Sequence, residues 1–478
     1  MKAFFFLLMS YGQLSVAQIA PSAPVRITLY APSLKGQKVS LSTPDLFMLT
    51  PTRLATTAFD SSGTALLSVP LSQTTLFTDL EVGTKRYGLL VKPGTSLAVR
   101  FGEQTDSPVR FSGEGEQSAR YLLGLSSTWK QFEARGGKHL MQLDPAGFRN
   151  RLDSVQKAYS EFTQSFTKRE SIDKSSLALL EQKSALQLLT YRLNYAMAQY
   201  NPNDTTMKEL PDLKSAVSEV PFDPRLLAAN VYEYGWALSM YLQAGLYAPL
   251  VMGKSEAARA AIQQKFPLLA DQQIIRNNYP ATIRTFLRAR NLYETLRGGI
   301  TPILDSLLMA VRKEQGYSAY EPIISQSYSK WQALLPGRTA PNFSGITPKG
   351  DVLSLNSLKG KVVYVDVWAT WCGPCREEFP DAKQLQKRFV DNNQVAFVYV
   401  SIDRDQAAWH KFLANDADFK GVHINQPPGE HFDSLWKAYQ LSSIPRYMLI
   451  DQAGKLVDVN AARPSSGKIA DEIERLLH

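Results

Sequence analysis

Val365-Asp366-Val367-Trp368-Ala369-Thr370-Trp371-Cys372-Gly373-Pro374-Cys375-Arg376-Glu377-Glu378-Phe379-Pro380 runs from an apolar, β-favouring stretch into the opening of a helix, with two cysteines at the crossing. Cys372 falls at the helix N-terminus, where the positive end of the helix dipole favours thiolate over thiol, so it reads as the attacking sulfur. Cys375, one turn inward, reads as the resolving thiol. Gly373 lets a substrate backbone approach closely, and Pro374 suits a first helical turn, where its missing N–H has no intrahelical acceptor. With Trp371 just before them, these are the candidate substrate contacts.

Working outward, these two cysteines are the only ones in 478 residues, which rules out a framework of stapling disulfides. A lone pair this close points to a redox disulfide between Cys372 and Cys375. Metal binding needs more ligands, and His410, His423 and His431 show no spacing that converges on the pair, so no metal and no other cofactor is expected.

From Asn342 to the end the chain alternates strand and helix. Lys361 to Trp368 reads as a buried strand, Gln394 to Ile402 as a second, and Asp405 to Asn415 and Phe432 to Tyr439 as helices. Strands over Arg446 to Asp451 and Leu456 to Asn460, around the turn Gln452-Ala453-Gly454, precede a closing helix over Ser466 to Leu477. Leu335-Pro336-Gly337-Arg338-Thr339-Ala340-Pro341 breaks any helix twice and marks a linker. Before it, residues 116–335 carry helical periodicity, as in Leu177, Leu180, Leu186 and Leu189. Residues 18–115 carry short β-favouring runs (Val25 to Tyr30, Ala65 to Val69, Tyr87 to Val91, Ser96 to Phe101) broken by turn residues, and read as a small β-sandwich. The expected architecture is multidomain: β-sandwich at 18–115, α-helical domain at 116–335, α/β domain at 336–478.

Residues 1–17 read as a secretory signal, with Met1-Lys2 as a positive start, an apolar run from Ala3 to Met9, and Ser15-Val16-Ala17 before the cut. No cysteine lies near that cut, so the expectation is an exported, soluble chain without a lipid anchor. Tyr234 to Met252 is apolar but interrupted by Gly235, Gln243, Gly245 and Pro249, and reads as buried helix instead of a membrane span. The net charge of +9 is scattered, with no basic stripe interleaved with aromatics, so nucleic acid is not an expected partner.

The motif quoted above, together with Ser443-Ile444-Pro445, resembles the thioredoxin superfamily, and more narrowly the exported TlpA/ResA-like thiol-disulfide oxidoreductases. The likeness runs from about Leu335 to the end; the β-then-helical layout before it is similar to Bacteroidetes members of that group. The resemblance implies a thioredoxin-like fold and a cis Ile444–Pro445 bond beside the sulfurs, shaping the substrate groove. It also implies disulfide-containing protein substrates, a membrane thiol-reductant carrier as electron donor, a periplasmic setting, and cytochrome c maturation as one pathway. Gly373-Pro374 resembles the reducing members more than the strong oxidants.

Asp366 and Glu378 are the candidate acid–base groups. Asp366 sits among Val363, Val365 and Val367, where a carboxylate is costly to bury and its pKa should rise. Glu378, three residues beyond Cys375, should share its face. Thioredoxins carry an acid at the first position and ResA-like proteins at the second; this chain has both. A solvated Glu378 and a structural Asp366 are the plainer alternatives. With that resemblance the sequence reads as a periplasmic disulfide reductase or exchange catalyst. Two alternatives stand beside that reading: a partner-binding protein whose last domain is secondary, and a thiol peroxidase, for which no Thr-x-x-Cys pattern occurs.

Overall fold

The β-favouring runs at the start of the chain build two four-stranded sheets in the computed structural model, which describes residues 23–71, 75–102, 108–133, 139–199, 211–416, 418–427 and 434–478. The expected signal segment 1–17, His431 and the first residues of the expected Phe432 to Tyr439 helix lie outside these. One sheet runs Thr64–Val69, Val25–Tyr30, Ser96–Arg100, Arg110–Gly113 across its width. The other runs Thr50–Ala58, Lys38–Asp45, Leu76–Val82, Lys85–Val91. Alternate residues Val25, Ile27 and Leu29 meet Leu41, Leu80 and Leu89 in one core, as in a sandwich. The turn between Thr50–Ala58 and Thr64–Val69 is fixed by Asp60, whose Oδ1 accepts from the Ser62 and Thr64 amides. Gly63 closes it at φ +77°, where a Cβ would meet the Pro32 backbone at 2.5 Å.

Long helices follow at Glu116–Glu133, Pro145–Arg169 and Lys174–Ala198, the first two amphipathic. Asp144 and Asp173 cap the second and third, accepting from Gly147 N at 2.7 Å and Ser176 N at 2.9 Å. The apolar stretch read as buried helix is divided into Tyr232–Met240, a π-helical segment Tyr241–Tyr247 and Ala248–Val251. Of its aromatics Tyr234 is buried and donates to Pro221 O, Trp236 is half-buried and its Nε1 donates to Asn194 Oδ1, and Tyr232 is exposed. Among the described residues no helix is long and apolar enough to cross a membrane.

By packing, the chain divides into two compact units. The first comprises Met1–Phe266 and Gln272–Leu287, and the second Pro267–Asp271 and Arg288–His478. In the second, buried Arg288 pairs with Asp271 through Nε and Nη2 at 2.6 and 2.8 Å, and with Glu314 through Nη1. Its main feature is a seven-stranded sheet ordered Val352–Ser354, Ser344–Ile346, Val422–Asn425, Val395–Ser401, Val362–Trp368, Arg446–Ile450, Leu456–Asp458. Val362–Trp368 is buried along its whole length, as a central strand covered on both faces must be, and runs parallel to Val395–Ser401 and antiparallel to Arg446–Ile450. The expected Leu335-to-Pro341 linker is stitched to this sheet through Gly337, Arg338 and Ala340. Gly337 N donates to Leu456 O, Leu456 N to Arg338 O and Ala340 N to Gly454 O, at 2.7 to 2.9 Å. The fold class therefore matches the expectation: N-terminal β sheets, a helical middle and a C-terminal α/β region.

Candidate active site

The central strand ends at Trp368, and the chain must turn from there into the helix that carries the sulfurs. Cys372 N donates to Ala369 O at 3.0 Å, closing a tight turn. A buried carboxylate fixes it: Asp403 accepts from Thr370 N at 2.9 Å and from Thr370 Oγ1 at 2.7 Å. Ser401 Oγ donates to the same carboxylate at 2.8 Å, and Asn425 Nδ2 donates to Asp403 O at 3.0 Å. The last residues of the two neighbouring strands thus hold the loop that presents Cys372. This network escaped the sequence reading, because Thr370 and Asp403 lie 33 residues apart and meet only through the parallel pairing Trp368↔Ser401.

Cys372 is the N-cap of the short helix Gly373–Glu377, with extended backbone, and its Sγ accepts from Cys375 N at 3.2 Å. Pro374 occupies the first turn. The two cysteines are joined by a disulfide. They differ in access: Cys372 is 5% exposed and Cys375 0%, while Trp371 beside them is 67% exposed. A Cβ placed on Gly373 would meet nothing within 4 Å, so the face over the disulfide is open there. Ile444–Pro445 is cis, as the resemblance implied, and both residues are half-buried.

The helix stops at Glu378 and a second, Phe379–Arg388, starts with Pro380 in its first turn. Glu378 therefore stands at a junction instead of in a helix interior, and it is buried, not solvated. Its Oε1 accepts from Ser465 Oγ at 3.0 Å and its Oε2 from Ser465 N at 3.1 Å, with Arg463 at 3.5 Å.

Asp366 is buried in the middle of the central strand, and neither carboxyl oxygen has a hydrogen-bond partner among the described residues. Burial first, and the charge of Glu378 second, push its pKa well above the usual carboxylate range. Tyr399 and Tyr447 are its neighbours across the two adjoining strands, and Tyr364 lies two residues before it. Burial, followed by the Asp366 charge, pushes each of these phenols up. His423, paired with Tyr399, has its pKa lowered by burial, and its Nε2 lies 2.9 Å from Phe419 O. No group of three or more His, Cys, Asp or Glu among the described residues is placed to hold a metal ion.

Comparison with known proteins falls on this same region. A family model described as thioredoxin-like matches residues 360–456. The thiol-disulfide oxidoreductase ResA of Bacillus subtilis is 29% identical over 170 residues, 35% of this chain and 89% of the relative. ResA of Bacillus cereus strain ZK is 30% identical over 144 residues, 30% of this chain and 77% of the relative. Among solved structures, the thioredoxin domain of a thiol-disulfide oxidoreductase from Bacteroides vulgatus is 28% identical. It covers 30% of this chain and 99% of its own, with a TM-score of 0.28.

Proposed function

The chain belongs to the thioredoxin-like thiol-disulfide oxidoreductases named for ResA, and on that premise we propose that it reduces disulfides of exported proteins, with Cys372 and Cys375 as the working dithiol. The observation that carries this reading is the asymmetry of the pair: Cys372 caps a helix at the rim, and Cys375 lies wholly buried behind it. In the reduced protein the Cys372 thiolate attacks one sulfur of a substrate disulfide, the substrate S–S bond breaks, and one substrate thiolate leaves. Cys375 then loses its proton and attacks Cys372 Sγ, expelling the second substrate thiolate. Two electrons and two protons have passed to the substrate, and the chain is left with the Cys372–Cys375 disulfide. A membrane thiol-reductant carrier on the periplasmic side would restore the dithiol, in the direction favoured by Gly373-Pro374.

In this reading Asp366 is the base for Cys375 and Glu378 shares the task. The Asp366 carboxyl, pushed up by burial, suits a group that must take up a proton instead of remaining an inert anion. Trp371, Gly373, Pro374, Ile444 and Pro445 form the face that receives the substrate chain. The 18–115 and 116–335 regions choose partners, and residues 336–478 do the chemistry.

The test is mixed-disulfide trapping. Cys375→Ser should accumulate covalent adducts on Cys372, and Cys372→Ser should form none and lose disulfide reduction. Equal adduct yields from the two variants would overturn the assignment of roles, and peroxide consumption without insulin reduction would favour a thiol peroxidase.

A further inference from the structure

The three side chains in register at the middle of the sheet, Tyr399, Asp366 and Tyr447, leave the same face, because directly paired residues on adjacent strands always do. All three are buried. The surrounding hydroxyls are not equivalent. Tyr364 donates to Ala462 O at 2.8 Å, and Tyr399 accepts from Gln386 Nε2 at 2.9 Å. Tyr447 Oη has no partner among the described residues, and neither has Asp366 Oδ1 or Oδ2. Tyr447 is held in place all the same, its ring stacked on Tyr364 at 5.8 Å with 6° between the planes.

Three buried polar atoms without protein partners, on two directly paired residues, form the kind of site that an internal water ordinarily satisfies. We propose that Tyr447 is a positioning residue of the dithiol reaction: through a bridging water its hydroxyl donates to the Asp366 carboxylate and keeps it ready to receive the Cys375 proton. This rests on Asp366 being the base. Burial first, then the charges of Asp366 and Glu378, push the Tyr447 phenol far above its ordinary value, so it stays a donor at every working pH.

The groups around Asp366 are Tyr364 on its own strand, Tyr399 and Tyr447 on the neighbours, and Glu378, whose charge reaches it, with Arg463 beside Glu378. Arg463 is mostly exposed and committed to Glu378, which leaves Tyr447 as the free donor on the antiparallel side. In the step itself the Cys375 thiol gives its proton to Asp366 and the thiolate forms a bond to Cys372 Sγ. The Cys372–substrate S–S bond breaks, and its electron pair leaves on the substrate sulfur, which is protonated on release.

The experiment uses the full chain and a fluorescent peptide disulfide, with formation and decay of the Cys372 adduct followed by stopped flow across pH. Losing a donor to the ionised carboxylate favours the protonated acid, so Tyr447→Phe should move the decay midpoint upward by about one pH unit. Adduct formation should be unchanged, and Tyr399→Phe should shift the midpoint less. The titration of Asp366, read from the carboxyl carbon resonance of the reduced protein, should move by the same amount. In an Asp366→Asn background Tyr447→Phe should shift nothing. An unmoved midpoint and an unmoved carboxyl titration in Tyr447→Phe, with Asp366→Asn still slowing decay, overturn the role of Tyr447 alone. Unaltered decay in Asp366→Asn overturns the base reading, and this inference with it.

Discussion

Asp366 is buried in a strand whose other members are apolar or aromatic, and burial acts on its charged form in two opposed ways. For stability, the folded chain holds a proton that the unfolded chain releases near 3.8. Where the native state binds more protons, stability falls as pH rises. The contribution of Asp366 is therefore intact below about pH 4 and is lost progressively up to its raised folded pKa. Asp366→Asn cannot ionise, so it should melt above the wild type at pH 7 by a few degrees, with the gap closing near pH 4. Thermal melts at several pH values check this. For chemistry the same change removes the base, and decay of the Cys372 adduct should slow roughly 100-fold, the lower end of what general base catalysis supplies. Adding Glu378→Gln should slow decay further without abolishing adduct formation. A variant that is more stable and slower at once separates the proton role from a structural one. At this scale the cysteine pair and the burial of Asp366 were legible, because Cys-x-x-Cys after an apolar strand and an acid among valines stand out locally. Tyr447 was not: within Arg446-Tyr447-Met448-Leu449-Ile450 it reads as core, and only the antiparallel register sets it opposite Asp366.

At the scale of elements, the loop from Ala369 to Trp371 has a single turn hydrogen bond of its own, from Cys372 N to Ala369 O, and otherwise depends on Asp403 for its shape. Thr370→Val keeps volume but removes one donor to a buried carboxylate, which should cost about 1.5–3 kcal/mol. Asp403→Ala strips the acceptor from Thr370 N, Thr370 Oγ1 and Ser401 Oγ together and should cost more. Because the loop carries Cys372, both variants should also slow adduct formation while leaving decay nearly unchanged, the converse of Asp366→Asn. Denaturant unfolding, with hydrogen exchange at the Thr370 amide, measures the two parts. The strands feeding this site were readable where they are long and apolar, as at Val362–Trp368 and Val395–Ser401. Val422–Asn425 was not, because Val-His-Ile-Asn is short and half polar and becomes a strand only by pairing beside Val395–Ser401. Lys38–Asp45 was hidden in the same way: its serines, threonine and proline suggest a loop, yet five consecutive residues are buried against neighbours on both sides.

For the whole molecule, the change from β to helical to alternating composition was visible along the sequence, whereas packing joins Arg288–His478 and Pro267–Asp271 in one unit. The difference lies in Leu335-to-Pro341, whose proline and glycine announce a break in helix but not the partners of the freed backbone. Those partners are on the sheet edge at Gly454 and Leu456, and Tyr439 Oη adds a hydrogen bond to Pro341 O at 2.6 Å. A fragment of residues 335–478 keeps all of these and every residue proposed for thiol chemistry. The Bacillus subtilis relative, 89% of which aligns with 170 residues here, has little room for further domains. That fragment should fold and reduce insulin at a rate close to that of the full chain. It loses the hydrogen bond from Asn460 Nδ2 to Gly298 O, at 3.1 Å, and the helices Pro302–Val311 and Glu321–Gln332, so a modest drop in melting temperature is expected. A second fragment of residues 342–478 gives up the three backbone bonds at the edge and the Tyr439 bond. At about 0.5–1.5 kcal/mol for each, it should lose a substantial share of its stability while any folded fraction stays active. Circular dichroism melts beside insulin reduction decide the matter. If the longer fragment folds but is inactive, the upstream regions complete the active site. If the two fragments melt together, the stitched segment is a passive linker after all.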